Sequence, residues 1–208
     1  MKFNVTVAIA AGVLALGSAM ANVAEAATLG SFDNPWNQIA TVEGAMDQAF
    51  GVNNWTNITS PTDTSFLDGE NFVYLEGSDG GANALEAFLN ANATALLNWI
   101  TAGGSLFINS GPIEGDGFSF GGLTLNSGDF CQSGCNAVDP NHPIFAGAGT
   151  SFGGNFFSHG SVAGGYALIV DTENGNRSIL SELQIGAGFQ MMGGMPTTNY
   201  HTGDDPAL

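Results

Sequence analysis

Whatever chemistry this chain can do rests on three histidines, two cysteines and a small set of loop carboxylates and hydroxyls. Ser110 stands in "SLFINSGPIEGDG", residues 105–117, where an apolar stretch breaks at once into Asn-Ser-Gly-Pro. A serine nucleophile needs a histidine base within hydrogen-bond reach, and that base needs an acceptor to orient it. His142 and His159 are the candidate bases, with His201 as the third imidazole. His142 sits in "DPNHP", where flanking prolines stiffen the backbone and could aim the ring. His159 follows two phenylalanines in "FFSHGS". The competing reading is simpler. "NSGP" lacks the G-x-S-x-G frame of a nucleophile elbow, and a serine before Gly-Pro is a common turn former. On that reading Ser110 ends a strand, and each histidine satisfies a nearby carbonyl.

The carboxylates raise a different chemistry. "EGSDGG", residues 76–81, follows one apolar run and precedes another of helical period. Ser78 or Asp79 can cap that helix, and the glycines permit a close backbone approach. With Glu114 and Asp116 on a facing loop, Glu76, Ser78 and Asp79 form a candidate binding rim. Such a rim would hydrogen-bond sugar hydroxyls or hold calcium. The plain alternative is a helix cap with solvated carboxylates. The D-x-D-x-D-G calcium-loop spacing and the H-x3-H zinc spacing are both absent, so no metal site and no cofactor is expected beyond calcium at that rim. Cys131 and Cys135, in "FCQSGC", are expected to pair as a local disulfide. Two ligands alone do not make a zinc site, although His142 is near in sequence.

The elements that must position these residues are readable from periodicity. "NPWNQIATVEGAMDQAFG" predicts a helix starting at Pro35 and stopping at Gly51. "NNWTNIT" and "NFVYLEGS" predict strands, the second apolar enough to be covered on both faces. Leu85, Phe88, Leu89, Leu96, Leu97 and Ile100 recur at helical spacing, and "SLFINS" follows as another strand. Strand, helix and strand at this spacing make a βαβ unit and imply a parallel sheet. Residues 111–165 are rich in Gly, Ser, Asn and Phe, and read as an irregular middle third with one short hairpin in "FSFGGLTLNSGDF". "YALIVD", "RSILSELQIG" and "GAGFQMMGGM" predict further strands. A closing helix is expected after them and is not found.

Composition bounds the setting. Lys2, the apolar run "VTVAIAAGVLALGSAMA" and the small-x-small sites ending at Ala21 and Ala26 read as a secretory signal peptide over residues 1–26. Residues 27–208 then form a single α/β domain, exported to the extracellular space or periplasm and not inserted in a membrane. Removing residues 1–26 takes Lys2 and Glu25 with it, leaves Arg177 as the one basic residue, and keeps the net charge at −17. That surface repels phosphate backbones and anionic lipid, which argues against nucleic-acid partners. Divalent cations are suited as counter-ions to such a surface, and a carbohydrate or another surface polymer is the expected partner class.

The order of pieces resembles the class I glutamine amidotransferase-like superfamily, nearest to its trehalose-utilisation-protein-like and secreted bacterial relatives. The resemblance rests on "FVYLEGSDGG", "LLNWITAGGSLFINSGP", "DPNHPIFAG", "FSHGSVAG" and "LIVDTENGNRSILSELQIGAGFQMMGGM", which together span residues 71–195. It implies a three-layer flavodoxin-like fold with a mostly parallel central sheet. In active members a cysteine occupies the tight turn where this chain has Asn109-Ser110-Gly111-Pro112. Amidotransferase activity is therefore not expected. The functional expectation is an exported, acidic, non-catalytic binding or surface-associated protein. The alternatives are a secreted hydrolase of carbohydrate or a similar polar substrate, with Ser110, Glu114, His142 and His159 near its site, and a structural component of the cell surface or matrix.

Overall fold

The computed structural model describes residues 26–32, 39–78, 80–111, 115–146, 149–153 and 157–196. Its centre is the strand pair that the sequence marks most clearly. β3 (Phe72–Glu76) and β4 (Ser105–Asn109) lie parallel, with Phe72 opposite Ser105 and Glu76 opposite Asn109. Alternate residues of a strand face opposite sides of the sheet. Accordingly Phe72, Tyr74 and Phe107 enter one core, while Val73, Leu75, Leu106 and Ile108 enter the other. Both strands are apolar throughout because both faces are covered.

Each face is covered by one helix. Helix α1 (Ile39–Phe50) turns Val42, Ala45 and Met46 inward, and Val42 and Met46 pack with Phe72 and Tyr74. Helix α2 (Ala82–Thr101) buries Leu85, Phe88, Leu89, Leu96 and Ile100 against Val73, Leu75, Leu106 and Ile108. β1 (Ala27–Ser31) lies between β3 and β2 (Trp55–Thr59), parallel to both. No expectation placed a strand at β1, since "ATLGS" has no aromatic residue and only one β-branched residue, Thr28. It is nonetheless wholly buried.

The later strands change the character of the sheet. β12 (Gly188–Gly193) pairs parallel with β4, but β11 (Arg177–Ile185) returns antiparallel to β12. β10 (Tyr166–Asp171), β7 (Cys135–Ala137) and β8 (Ser151–Phe152) continue antiparallel. The full order is β2-β1-β3-β4-β12-β11-β10-β7-β8. A second, antiparallel sheet, β5 (Gly117–Phe120), β6 (Leu123–Cys131) and β9 (Ser158–Ala163), lies on the α2 face. Its Phe118, Phe120, Leu123, Leu125 and Val162 share the core of Leu85 and Ile108.

The expected three-layer flavodoxin-like fold with a mostly parallel sheet is thereby overturned. The nine-stranded sheet is mixed, and among the described residues there are only two α-helices. The physical reason lies in the connections. A parallel crossover needs a dozen or more residues, whereas the β11–β12 link spans two, Gly186 and Ala187, and can only be a hairpin. The middle third is also not irregular. Its described residues form the strands β5 to β9, with Gly, Ser and Asn both inside the strands and in the turns between them, and Phe118, Phe120 and Phe152 are buried.

A buried amide and a disulfide are among the devices that hold the sheets together. Gln190 of β12 is fully buried and its Nε2 donates to Phe120 O at 2.9 Å. Gly121 follows at φ +59°, where a Cβ would stand 1.9 Å from Gln190 Oε1, so no side chain fits there. On the other side, Cys131 at the end of β6 is joined to Cys135 at the start of β7, as expected from their spacing. The bond links one sheet to the other. So short a loop limits the denatured chain little, and its main effect is to fix that crossover.

Candidate functional site

The carboxyl ends of the parallel strands bring four positions into one row. Ser31 pairs with Glu76, Glu76 with Asn109, and Asn109 with Gly193. Open α/β sheets bind ligands at this edge. Here the row is built inward. The Glu76 carboxylate is buried and accepts from the Tyr74 hydroxyl, from Ser78 N at 2.6 Å and from Asn109 Nδ2 at 3.1 Å. Asn109 Nδ2 also reaches Met195 O at 2.9 Å, and its Oδ1 accepts from Met195 N at 3.2 Å. Ser78 Oγ faces Met195 O at 3.3 Å. Burial pushes the Glu76 carboxyl above its ordinary value, against the pull of the Ser78, Tyr74 and Asn109 donors. Burial, with Glu76 alongside, pushes the Tyr74 phenol well above its usual range.

Ser110 belongs to the same network. It is fully buried, its Oγ donates to Gly77 O at 2.9 Å, and its N–H donates to Gly193 O at 3.0 Å. Among the described residues it makes no hydrogen bond to an imidazole. A hydroxyl whose proton points to a carbonyl is not presented to a base. The serine closes the turn after β4 and ties it to the loop after β3.

The two histidines lie apart from that hydroxyl in their bonding. His142 is held by its own turn, in which His142 N donates to Asp139 O at 3.0 Å and Asp139 Oδ1 accepts from Asn141 N at 2.9 Å. Its Nδ1 accepts from Ile144 N at 3.4 Å and caps a short 3-10 turn, Pro143–Phe145. The ring proton therefore sits on Nε2, which points to Glu182 Oε1 at 3.3 Å. Glu182 pairs across the strands with Met191 on one side and Tyr166 on the other. His159 is buried on β9, with its ring edge-on to Phe130 at 5.4 Å between centroids. Its N–H donates to Gly194 O at 2.8 Å, at a point where a Cβ on Gly194 would stand 2.4 Å from Gly160 O. That close crossing seats β9 over the end of β12.

The loop expected to cap α2 does otherwise. Its N-cap is Gly81, with no side-chain cap, and Ser78 is engaged with Met195 instead. Asp116 is exposed at the approach to β5. Asp79, Glu114 and His201 lie outside the described residues. Among the described residues no three His, Cys, Asp or Glu side chains stand together as a metal site. None of their helices is long and apolar enough to cross a membrane.

Three groups were not anticipated from the sequence. Tyr74 and Asn109 complete the Glu76 network, and the signal for Asn109 was a polar residue ending an apolar strand beside Glu76. Arg177 anchors another cluster. It pairs with Asp129, which also accepts from Ser161 Oγ, and its Nη2 reaches Asp171 Oδ2 at 3.2 Å and Phe130 O at 3.3 Å. Burial works to raise the Asp171 carboxyl, but bonds from Asn174, Arg177 and the Glu173 and Asn174 amides outweigh it and hold it below its ordinary value. Asp129 lies on β6 and Arg177 on β11, so this cluster is a second clamp between the sheets.

No family model matches the chain, and no curated protein matches it. Solved structures do. The chain is similar to a β-galactosidase from Bacillus circulans sp. alkalophilus, at 14% identity and a TM-score of 0.54, over 86% of this chain and 30% of that one. It is also aligned with an exo-β-1,4-mannosidase from Opitutaceae bacterium strain TAV5, at 12% identity and a TM-score of 0.48, over 84% of this chain and 31% of that one. The chain spans just under a third of the length of these proteins. The first likeness identifies a shared fold.

Proposed function

We propose that this is an exported, non-catalytic module that associates with neutral carbohydrate. The observation that carries the non-catalytic half is the hydrogen bond from Ser110 Oγ to Gly77 O, which spends the hydroxyl on a backbone carbonyl inside a closed network. His142 is likewise committed through both ring nitrogens. Amidotransferase chemistry has no cysteine to use, since Cys131 and Cys135 are bonded to each other. Two observations support the carbohydrate half. The fold is shared with part of a protein titled a β-galactosidase. The net charge of −17 disfavours anionic ligands and leaves neutral polyhydroxy polymers as suitable partners.

The hydrolase reading is favoured only by that same likeness, and one assay separates the two. The purified chain is incubated with 4-nitrophenyl β-D-galactopyranoside and, separately, with insoluble β-galactan. The expected result is no nitrophenol release above buffer, by wild type or Ser110→Ala, together with retention on the polymer. Release by the wild type that drops about a hundredfold or more in Ser110→Ala would overturn the proposal.

A further inference from the structure

An exposed aromatic ring stands beside a histidine held through both ring nitrogens. Tyr166 opens β10 and is 48% exposed, and its ring lies 6.3 Å from the His142 ring at 33°. Glu182 pairs with Tyr166 across the strands and receives the His142 Nε2–H, so the carboxylate is held next to the tyrosine. Behind this group Phe145 is buried and packs edge-on to His142 at 6.4 Å. Val138, 46% exposed, donates its N–H to Leu168 O at 3.0 Å, two residues along from Tyr166. The strand beneath is not regular. β10 breaks register with β11 between Ala167 and Ile169 and again between Ile169 and Val170. Bulges of this kind re-aim side chains and occur next to binding sites.

We propose that Tyr166, His142 and Glu182 form the subsite that takes one residue of a neutral hexose polymer. This deepens the carbohydrate reading above and rests on it. The chemistry of each group fits. A hexopyranose has one apolar C–H face, and an exposed phenol ring offers it a flat amphipathic surface of similar size. The equatorial hydroxyls of the sugar donate to a carboxylate. Glu182 is fixed for that by His142, whose tautomer is set in turn by the Ile144 amide. Fixing the acceptor beforehand removes the ordering cost that a free glutamate would bring to binding. His142 is thus a positioning residue, while Tyr166 and Glu182 touch the ligand. No lysine or arginine belongs to the group, so an anionic sugar would meet Glu182 with no permanent cation beside it.

The test is titration calorimetry of the full chain with β-1,4-galactotetraose and β-1,4-mannotetraose. The variants are Tyr166→Ala, Tyr166→Phe and Glu182→Gln. Val52→Ala is the control, at an exposed apolar residue just beyond α1. Circular dichroism establishes that each variant folds. Tyr166→Ala is expected to weaken binding at least about tenfold, as loss of a stacking platform does. Tyr166→Phe keeps the ring and is expected to stay within about threefold of the wild type. Glu182→Gln is expected to weaken binding several-fold, and Val52→Ala to leave it unchanged. Binding that survives Tyr166→Ala intact would overturn the subsite and leave the carbohydrate reading standing. Absence of binding to either oligosaccharide by the wild type would overturn both.

Discussion

Glu76 shows how a single residue can look functional and be structural. Its carboxylate ends a strand at the edge where ligands bind, yet it faces Tyr74, Ser78 and Asn109 rather than solvent. Glu76→Gln replaces an acceptor of three donors with a group that is half donor, so its NH2 must face either the Ser78 amide or the Tyr74 hydroxyl and Asn109 amide together. The cost is expected to be about 1–3 kcal/mol, read from urea unfolding at fixed pH. The pH dependence has a definite sign. A carboxyl whose folded pKa is raised binds its proton more tightly when folded, so its stabilising contribution is full below its unfolded value of 4.5 and is lost as pH rises through the folded value. The stability gap between wild type and Glu76→Gln should therefore narrow as pH climbs above 4.5. A gap that widens over that range would show that the carboxylate is preferentially stabilised when ionised. Glu76 was legible in the sequence as a strand-ending acid. Its partner Asn109 was not, because the register of β3 on β4 is what sets it opposite Glu76, while Tyr74 shares a face with Glu76 by lying two residues before it on β3.

At the scale of elements, the βαβ unit and the strands β2, β10, β11 and β12 were legible, whereas β1, β7, β8 and the antiparallel direction of the later strands were not. β3, α2 and β4 carry long apolar patterns that admit one reading. β1, β7, β8 and β9 are short and rich in Gly, Ser, Asn and Ala, and they are strands because neighbours pair with them. The antiparallel half followed from a turn length, two residues between β11 and β12, that strand-by-strand reading does not weigh. The crossing of β9 over β12 gives this scale its prediction. Gly194 O accepts from the N–H groups of His159 and Gly160, and a Cβ on Gly194 would stand 2.4 Å from Gly160 O. The obstacle is backbone, so it cannot swing aside. Gly194→Ala is expected to lose about 1–3 kcal/mol and to speed amide exchange at His159 and Gly160 more than in β3 or β4. Uniform exchange throughout the molecule would contradict that local account.

For the molecule as a whole, two sheets are joined by a buried glutamine, a disulfide and a clamp on Arg177, and the polar edge of the larger sheet is closed upon itself. The Tyr166 ring beside Glu182 is open to solvent next to ordered polar groups. A strongly acidic protein with only two basic residues, Lys2 and Arg177, in its whole sequence is suited to bind without charge pairing. Binding through stacking and neutral hydroxyls responds weakly to ionic strength, whereas binding through ion pairs falls steeply. The most direct measurement is therefore one binding isotherm of the full chain for soluble β-1,4-galactan, recorded at about 0.05 M and about 0.5 M sodium chloride, where the screening length differs roughly threefold. The account predicts saturable binding with an affinity unchanged within about twofold between the two. No binding, or binding that disappears at the higher salt, would contradict it.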